Sequence, residues 1–429
     1  MIRLYASLFL VIVLFPSAGY SLSLDEGLRI VAESGRDIRI AQSGEEVARG
    51  AVWLARSPWL PWVDLYGRET WLRYQPAALT PFGAMPTSQD QFYTYGFKAT
   101  QLIYDFGKTS SAVNAAQYGL QAREADTLRA RNRSALEFIA AYLDLLEAER
   151  LLQVAADEVK RHEAHRRDTD ERYRAGVITR NEVLQADVTL SDSRQKLLTE
   201  DNLRSLRASK VNSLLLRPLN DDTRAEEIAA SPSAGISLDD AWAVAEAESP
   251  ELKELDAAIR SKEASVSAAR SEYLPNIYVS GGYEYQENRY MVHEDNWSLI
   301  AGVNINLFSG GASSARIRMG KGEVYTLKMT RDKLLDSVRL AVKGAYLDLQ
   351  SSSKKIEVTK TAVAQAEENL RLQRLRYQEG VGTATEVLDA VTLLTVARTN
   401  FWKAVYGLKR AEANLLYAMG RDLVSLYGK

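Results

Sequence analysis

Two pairs of side chains in this 429-residue sequence have a spacing that could support chemistry. Glu386 and Asp389 stand three residues apart, so on a helix both carboxylates lie on one face. Rings of such acids select cations in a pore, whereas on an isolated helix they are ordinary solvated acids. His162 and His165 have the same spacing and could hold a metal ion. The His-Glu-x-x-His order of zinc hydrolases is absent, so a solvated helix surface is favoured for both histidines.

Other kinds of chemistry lack support in the sequence. Neither a Gly-rich phosphate loop nor a recognisable catalytic triad motif is present, and the absence of Cys excludes disulfides and thiolate metal sites. The net charge of −2 provides no basic field for nucleic acid. We therefore expect a protein that is not an enzyme and that binds no cofactor, no metal and no nucleic acid.

The elements that must position these residues occur twice. RYRAGVIT at residues 172–179 recurs as RYQEGVGT at 376–383, an offset of 204. Near the start of each copy the offset is 214, since LD at 24–25 recurs at 238–239. The two offsets differ by ten, which predicts ten additional residues between Pro61 and Tyr104. A period of this length indicates a duplicated domain, because solenoid repeats span only about 20–50 residues.

The duplication predicts how the chain is divided. Residues 1–20 have the pattern of a secretory signal peptide, with a positive charge before an apolar run that is too short to span a bilayer. A buried N-terminal helix is the alternative for this segment. The first repeat covers 24–217 and the second covers 238–421. The segment 218–237 between them is rich in Pro, Asp, Ser and Ala and is predicted to be a linker.

Each repeat contains two segments in which apolar and polar residues alternate, as they do in β-strands. About ten residues of this pattern match a transmembrane strand, although a half-buried soluble sheet also alternates. Four strands cannot close a membrane barrel, which starts at about eight, so two or three copies must pool their strands. The loops 75–90 and 287–296 are expected outside the cell, where such barrels have longer loops. The predicted strands are 62–74, which alternates poorly, 93–104, 277–286 and 297–307.

Long helices without proline follow the strands. Residues 108–173 and 312–377 are rich in helix-forming Ala, Leu, Glu, Arg and Gln, and each would extend about 100 Å. Apolar or small residues step along them by three and four, which predicts close coiled-coil packing. Gly residues interrupt the pattern, and second helices run back to complete hairpins over 108–217 and 312–420. In the first helix the stepped series contains Leu145, Ala148, Leu152, Ala155 and Val159.

The order of elements and the hairpin tips, which read Gly-Val-x-Thr…Glu-Val-Leu-x-Ala, resemble the TolC family of outer-membrane efflux and secretion channels. The resemblance covers about residues 24–421. It implies a fold that is mainly α with membrane β. In that fold a homotrimer forms one 12-stranded β-barrel in the outer membrane of a Gram-negative bacterium and an α-barrel of hairpins in the periplasm.

The function implied by the resemblance is passive. Such a trimer is the exit duct of a tripartite efflux pump or a type I secretion system and carries drugs, metals, lipids or proteins. Its implied partners are a periplasmic adaptor, which opens the periplasmic tip, an inner-membrane transporter of the RND, ABC or MFS type, and outer-membrane lipid.

The resemblance also assigns residues to two sites. Acidic residues that match Glu386 and Asp389 line the periplasmic gate in the family. The tips resemble the surface that contacts the adaptor, and the alternative for them is turn chemistry, in which Gly permits positive φ, Thr caps a helix and Arg neutralises helix carbonyls. The adaptor-contact residues are Arg172, Gly176, Val177, Thr179, Arg376, Gly380, Val381 and Thr383.

A second class of function remains open from the sequence. The chain could be a soluble periplasmic coiled-coil adaptor or scaffold in which the alternating segments form a small soluble β-domain. A duct would fractionate with the outer membrane and require detergent, whereas an adaptor would be released by osmotic shock.

Overall fold

The computed structural model describes residues 20–228 and 235–428, and the chain divides into two compact units. Among the described residues, the first unit combines 20–39, 130–228, 235–249 and 338–428, and the second combines 40–129 with 250–337. Of the predicted signal peptide, only Tyr20 lies within the described residues. Over the described parts of the chain, none of the helices has an apolar stretch that could cross a bilayer.

The two repeats share one order of helices and strands, apart from two additional short strands in the first and one additional short helix at the end of the second. The first runs β1 (Tyr20–Leu22), α1 (Leu24–Ser34), α2 (Arg36–Arg56), β2 (Trp62–Trp71), β3 (Ala77–Thr80), β4 (Gly83–Pro86), β5 (Gln91–Tyr104), α3 (Lys108–Arg174) and α4 (Arg180–Leu214). The second runs β6 (Thr223–Ala225), α5 (Leu238–Glu248), α6 (Pro250–Arg270), β7 (Asn276–Gln286), β8 (Asp295–Asn304), α7 (Ala312–Gln378), α8 (Ala384–Ala418) and α9 (Leu423–Tyr427). Helices α3 and α7 each contain 67 residues and begin where the sequence pattern predicts.

The second unit contains a four-stranded antiparallel sheet in the order β2-β5-β7-β8. Trp62 faces Thr100 in the first repeat, and Asn276 faces Asn304 in the second. These two pairs are related by the offsets of 214 and 204 residues that the sequence shows. The two strand pairs therefore have the same register.

The structure of β2 explains why its sequence alternates poorly. Tyr66 lies on the face that also carries polar side chains, and its hydroxyl donates to Glu284 Oε2 at 2.7 Å. Gly96 stands between them, and a Cβ there would lie 2.2 Å from the Tyr283 carbonyl oxygen and 3.1 Å from the Tyr66 hydroxyl. An aromatic residue therefore belongs to the polar face because a carboxylate accepts its hydrogen bond. The strand ends at Trp71, three residues before the predicted end.

The ten additional residues of the first repeat form a β-hairpin. β3 pairs with β4 in antiparallel fashion, with Ala77 opposite Pro86. One flank of the hairpin is tied to the shorter loop of the second repeat, where Asn288 Nδ2 donates to the Thr87 carbonyl at 3.1 Å. The sequence predicts only a loop over 75–90, because strands of four residues alternate too briefly to be recognised.

The core of the first unit is organised around a buried tyrosine of α3. The Tyr142 hydroxyl lies 2.8 Å from the carbonyl oxygen of Leu22 and 2.7 Å from that of Glu226. These carbonyls belong to the segments that form the parallel pair of β1 and β6, in which Leu22 faces Ala225. The prediction that 218–237 is only a linker is therefore wrong for residues 223–225. Strands of three residues have no detectable periodicity, and this pairing depends on a distant part of the chain.

Candidate functional site

Both hairpin tips are formed by the same turn. Gly176 and Gly380 adopt φ 73°, which glycine accepts without strain. At the first tip the Val177 N–H donates to the Arg172 carbonyl at 3.0 Å, and at the second the Val381 N–H donates to the Arg376 carbonyl at 3.0 Å. These bonds satisfy the last carbonyls of α3 and α7 in a Schellman arrangement. A Cβ on either glycine would meet nothing within 4 Å, so backbone conformation and not space requires glycine there.

The tips present apolar surface to solvent. The valines that follow the two glycines, Val177 and Val381, are 67% and 69% exposed. Thr179 and Thr383, which begin the returning helices, are also exposed. Turn chemistry and an accessible contact surface are therefore both present at the tips.

The returning helices begin differently in the two repeats. Thr383 Oγ1 accepts a hydrogen bond from the Glu386 N–H at 3.3 Å, and Glu386 Oε2 accepts one from the Thr383 N–H at 2.9 Å. This reciprocal pair is a capping box. Thr179 occupies the equivalent position before α4, but its side chain makes no cap hydrogen bond. The Thr-x-x-Glu pattern occurs at both tips, as Thr179 with Glu182 and as Thr383 with Glu386, so the sequence predicts a cap at each tip and the structure forms the capping box only at the second.

The two predicted gate acids have different surroundings. The hydrogen bond from the Thr383 backbone N–H, aided by the nearby charge of Arg376, lowers the pKa of Glu386. Arg376 Nη1 lies 3.9 Å from Glu386 Oε1. Asp389 is exposed on the next turn of α8, and no hydrogen bond or ion pair holds it within the described residues. Glu386 is thus a fixed charge, while Asp389 is free to rotate.

Arg172 joins the two tips. Its Nη2 donates to the carbonyl of Gln378, the last residue of α7, at 3.1 Å. Its guanidinium carbon lies 4.6 Å from the ring centroid of Tyr377, which is buried. Arg172 was expected to neutralise helix carbonyls, and it does so on the other hairpin. Arg376, its repeat equivalent, stays within the second hairpin, with Nη1 3.3 Å from Gln373 Oε1.

The prediction that His162 and His165 are solvated is wrong, since both are buried. The His165 ring lies 5.6 Å from the ring of Tyr377 and therefore packs between α3 and α7. His162 Nε2 lies 3.8 Å from Glu158 Oε1 on the same helix. Continuing the stepped apolar series beyond Val159 by three residues reaches His162, so the signal for burial was present in the sequence. No group of three or more potential metal ligands occurs in residues 20–228 and 235–428.

Burial changes the titration of His165. Loss of solvent around the ring lowers its pKa from 6.5 to about 4. Asp168 on α3 opposes this shift, while His162 on α3 and Arg374 on α7 add to it. His165 therefore remains neutral at neutral pH, in contact with the aromatic ring that Arg172 covers.

Two copies of a helix–strand–strand–hairpin unit, a sheet that is open at both edges and exposed glycine tips define the channel class of outer-membrane proteins. The chain belongs to the outer membrane efflux protein family, whose model matches residues 28–215 and 243–421. This match confirms the resemblance to TolC-like channels and the outer-membrane location.

Similar proteins support the same assignment. The outer membrane efflux protein BepC of Brucella suis biovar 1 is 24% identical over 336 residues, which are 76% of this chain and 72% of that protein. Nodulation protein T of Rhizobium leguminosarum bv. trifolii is 22% identical over 403 residues, which are 90% of this chain and 82% of that protein.

Solved structures show the fold. The outer membrane protein VceC of Vibrio cholerae superposes with a TM-score of 0.80 at 19% identity, covering 93% of this chain and 96% of that chain. The MtrE outer membrane channel of Neisseria gonorrhoeae, in its open state, superposes with a TM-score of 0.74 at 20% identity, covering 93% and 89%. The predicted fold class, mainly α with a membrane β part, is confirmed.

Arg172→Ala should loosen the second tip. The variant loses a hydrogen bond to a helix end and a cation over an aromatic ring, together roughly 1–2 kcal/mol. Amide hydrogen exchange over residues 376–383, followed by mass spectrometry, should accelerate about tenfold. Arg174→Ala is the matched control, because Arg174 pairs with Asp170 within α3 at 2.7 Å. Equal acceleration in both variants would mean that Arg172 does not join the tips.

Acid should destabilise the packing around His165. Its pKa in the folded chain is about 4, below the usual value of 6.5 for a histidine, so the unfolded state binds the proton more readily. The stabilisation is complete above about pH 6.5 and is lost as the pH falls towards 4, by up to roughly 2 kcal/mol between pH 7 and pH 5. The wild-type thermal midpoint should fall between these pH values. His165→Phe should reduce that fall, and replacing the exposed His293 with Gln should leave it unchanged. An undiminished fall in His165→Phe would assign the acid sensitivity to another group.

Proposed function

We propose that three copies of this chain form a passive exit duct across the outer membrane. The duct serves a tripartite efflux pump or a type I secretion system, in which an inner-membrane transporter supplies the energy and a periplasmic adaptor opens the hairpin tips. Membership of the outer membrane efflux protein family supports this role. The relatives include the cation efflux system protein CusC of Escherichia coli and a protein of Pseudomonas putida named "Probable efflux pump outer membrane protein TtgC".

The observation that carries the proposal is a difference in burial between equivalent residues of the two repeats. On α3, Leu143 and Val154 are 1% and 5% exposed, whereas their equivalents on α7, Leu347 and Val358, are 53% and 69% exposed. The difference reverses on the returning helices, where Leu388 of α8 is 6% exposed and its equivalent Leu184 of α4 is 51% exposed. The same surface is therefore covered in one repeat and uncovered in the other.

Uncovered apolar faces of this kind fit a ring of copies. Helix α7 is the repeat equivalent of α3, and α4 is the equivalent of α8, which covers α3. The uncovered surface of α7 would therefore be covered by α4 of another copy. Because α4 and α7 of one chain differ in surface, the contact is heterologous and joins copies head to tail, an arrangement that forms a ring when the rotation between copies closes. Three copies would provide twelve strands, enough to close a membrane barrel.

The alternative of a soluble adaptor is not favoured. Both outer strands of the sheet expose large apolar side chains, Leu65 at 85% and Leu299 at 82%. A soluble antiparallel sheet buries one face against a core and presents polar residues on the other. Apolar side chains that stay exposed fit contact with lipid.

Mass measurement tests the architecture directly. The detergent-solubilised chain should have the mass of a trimer that dissociates on heating, and it should sediment with the outer membrane. In planar bilayers the trimer should produce discrete conductance steps. A stable monomer in detergent, or release of the protein by osmotic shock, would refute the duct and favour the adaptor.

We also propose Glu386 and Asp389 as the periplasmic gate and the eight tip residues as the adaptor contact. In a trimer the two acids would supply six carboxylates around one opening. The exposed position of Asp389 and the lowered pKa of Glu386, which keeps that carboxylate ionised at neutral pH, support this role. The exposed valines and threonines of the tips support the adaptor contact.

The capping role of Glu386 determines how the gate must be tested. In Glu386→Gln the amide oxygen can still accept from the Thr383 N–H, so the charge is removed and the cap is kept. Combined with Asp389→Asn, this change should reduce cation selectivity and block by multivalent cations in single-channel recordings, most clearly at low salt. Glu386→Ala should in addition lose about 1 kcal/mol of helix stability, because the Thr383 N–H loses its acceptor while the Thr383 side chain still caps the helix.

The first repeat provides the matched control. Glu182 and Gln185 are the equivalents of the two acids, so that repeat carries one charge per chain. Glu182→Gln should therefore change selectivity less than the double variant. If the double variant conducts with unchanged selectivity and block, the two carboxylates are surface acids and the constriction lies elsewhere.

A further inference from the structure

Helices α6 and α7 of the second unit enclose a groove near the end of α6 that leads into the sheet. Its volume is about 280 Å³. Arg270 is the last residue of α6, and β7 begins soon afterwards at Asn276. The groove therefore combines two cations with a carboxylate, a hydroxyl group and apolar side chains. It is lined by Glu263, Val266, Ser267 and Arg270 of α6 and by Lys321 and Val324 of α7.

The two cations of the groove are not neutralised within the chain. Arg270 and Lys321 are exposed, and within the described residues neither side chain has an ion-pair or hydrogen-bond partner. The carboxylate of the groove, Glu263, is already paired, because Lys328 Nζ lies 2.8 Å from its Oε1. The groove therefore has an excess of two positive charges. Other cations nearby are matched, namely Lys262 with Glu323 and Arg316 with Glu272.

Helix capping accounts for only one of the two cations. A cation in the last turn of a helix is stabilised by the helix dipole, and Arg270 has that position in α6. Lys321 instead lies inside the 67-residue helix α7, which has no unpaired carbonyls there. Its position across the groove from Arg270 therefore needs another explanation.

The first repeat has no equivalent pair of free cations. The repeat offsets make Arg56 the equivalent of Arg270, Trp53 the equivalent of Ser267 and Gln117 the equivalent of Lys321. The guanidinium carbon of Arg56 lies 5.9 Å from the centroid of the Trp53 ring. The single arginine of the first repeat thus has an aromatic partner, and only the second repeat combines two cations without partners.

Apolar side chains are exposed where the helices meet the sheet. Tyr273 and Leu274, between α6 and β7, are 51% and 43% exposed. Leu307 and Phe308, between β8 and α7, are 90% and 85% exposed. In a sheet that spans the outer membrane these side chains mark the periplasmic edge of the hydrocarbon layer, where aromatic residues are common. The groove then lies on the helical side of that edge, at the level of the lipid headgroups.

We propose that this groove binds the phosphate group of an anionic phospholipid from the periplasmic leaflet of the outer membrane. The proposal rests on the proposed function, because it requires the sheet to lie in that membrane. A guanidinium group binds phosphate oxygens through two parallel N–H donors, and an ammonium group adds a point charge. Basic pockets between helices next to a bilayer bind anionic headgroups in this way.

The shape and charge of the groove favour a lipid with a net negative charge. Its volume is roughly nine times the 30 Å³ share of one liquid water molecule, which is room for a phosphodiester and its glycerol. The acyl chains would leave the groove along Tyr273 and Leu274. A zwitterionic headgroup would bring its own ammonium group beside Arg270 and Lys321, so it should bind less tightly.

Lipid titration of the purified, delipidated trimer tests the proposal. Native mass spectrometry in an uncharged detergent should show binding of dioleoylphosphatidylglycerol, at one molecule per chain, and several-fold weaker binding of dioleoylphosphatidylcholine. Arg270→Gln/Lys321→Gln should raise the apparent Kd for the anionic lipid about tenfold, because both cations near the headgroup are removed. Both side chains are exposed, so the variant should still assemble as the wild type does.

Two control variants remove charge elsewhere. Arg260→Gln/Lys333→Gln removes two exposed cations from the same two helices, farther from the sheet, and should bind the anionic lipid as the wild type does. Arg56→Gln removes the equivalent arginine of the first repeat, which stacks on Trp53, and should leave the Kd close to the wild-type value.

The outcomes separate this proposal from the proposed function. Equal binding of the two lipids by the wild type, an unchanged Kd in Arg270→Gln/Lys321→Gln, or an equal loss in Arg260→Gln/Lys333→Gln would overturn the lipid site and leave the trimer intact. Displacement of the anionic lipid by millimolar inorganic phosphate would assign the groove to a soluble anion and would also overturn it. A wild-type protein that is monomeric in detergent would instead overturn the ring of copies.

Discussion

Backbone pairing in lipid is the constraint on which the rest of this molecule depends. A four-stranded sheet with free edges at β2 and β8 leaves N–H and C=O groups without partners, and water is not present in the bilayer core to replace them. The helices also need a partner, because α4 and α7 keep apolar side chains exposed. The duplication provides a partner in both cases, because the surface that one repeat exposes is complementary to a surface of the other repeat. One contact forms within the chain and the next is left for another copy.

Equivalent residues of the two tips differ in burial, because within one chain each repeat has a different neighbour. Tyr377 is buried beneath Arg172, whereas its equivalent Tyr173 is 42% exposed. Arg172 reaches the end of the other hairpin, whereas Arg376 remains near its own. The exposed residues of the first tip are those that a neighbouring copy would cover in the proposed ring.

The sequence predicts the elements that show a periodic pattern. It does not predict strands of only a few residues or pairings between distant parts of the chain. The offsets and the proline-free runs predict both long helices, and the alternating segments predict the four strands of the sheet. The three-residue pairing of Leu22 with Ala225 has no periodic signal, so the linker prediction missed it. The early end of β8 reflects a strand without its neighbour. The prediction for His165 was wrong because its polarity outweighed its place in the buried series. The Thr-x-x-Glu pattern stands at both tips and therefore does not show that only Glu386 completes a capping box.

The two proposed gate acids combine different physical properties on one helix face. Glu386 cannot turn towards an opening without releasing the Thr383 N–H, which would cost about 1 kcal/mol. Asp389 has no such bond within the described residues and can follow a passing cation. In the proposed gate, the fixed carboxylates of Glu386 and the rotatable ones of Asp389 would form two rings one helical turn apart, and their negative potential would persist while the width of the opening changes. Movement of the tips would therefore alter access through the opening without removing the charge that favours cations.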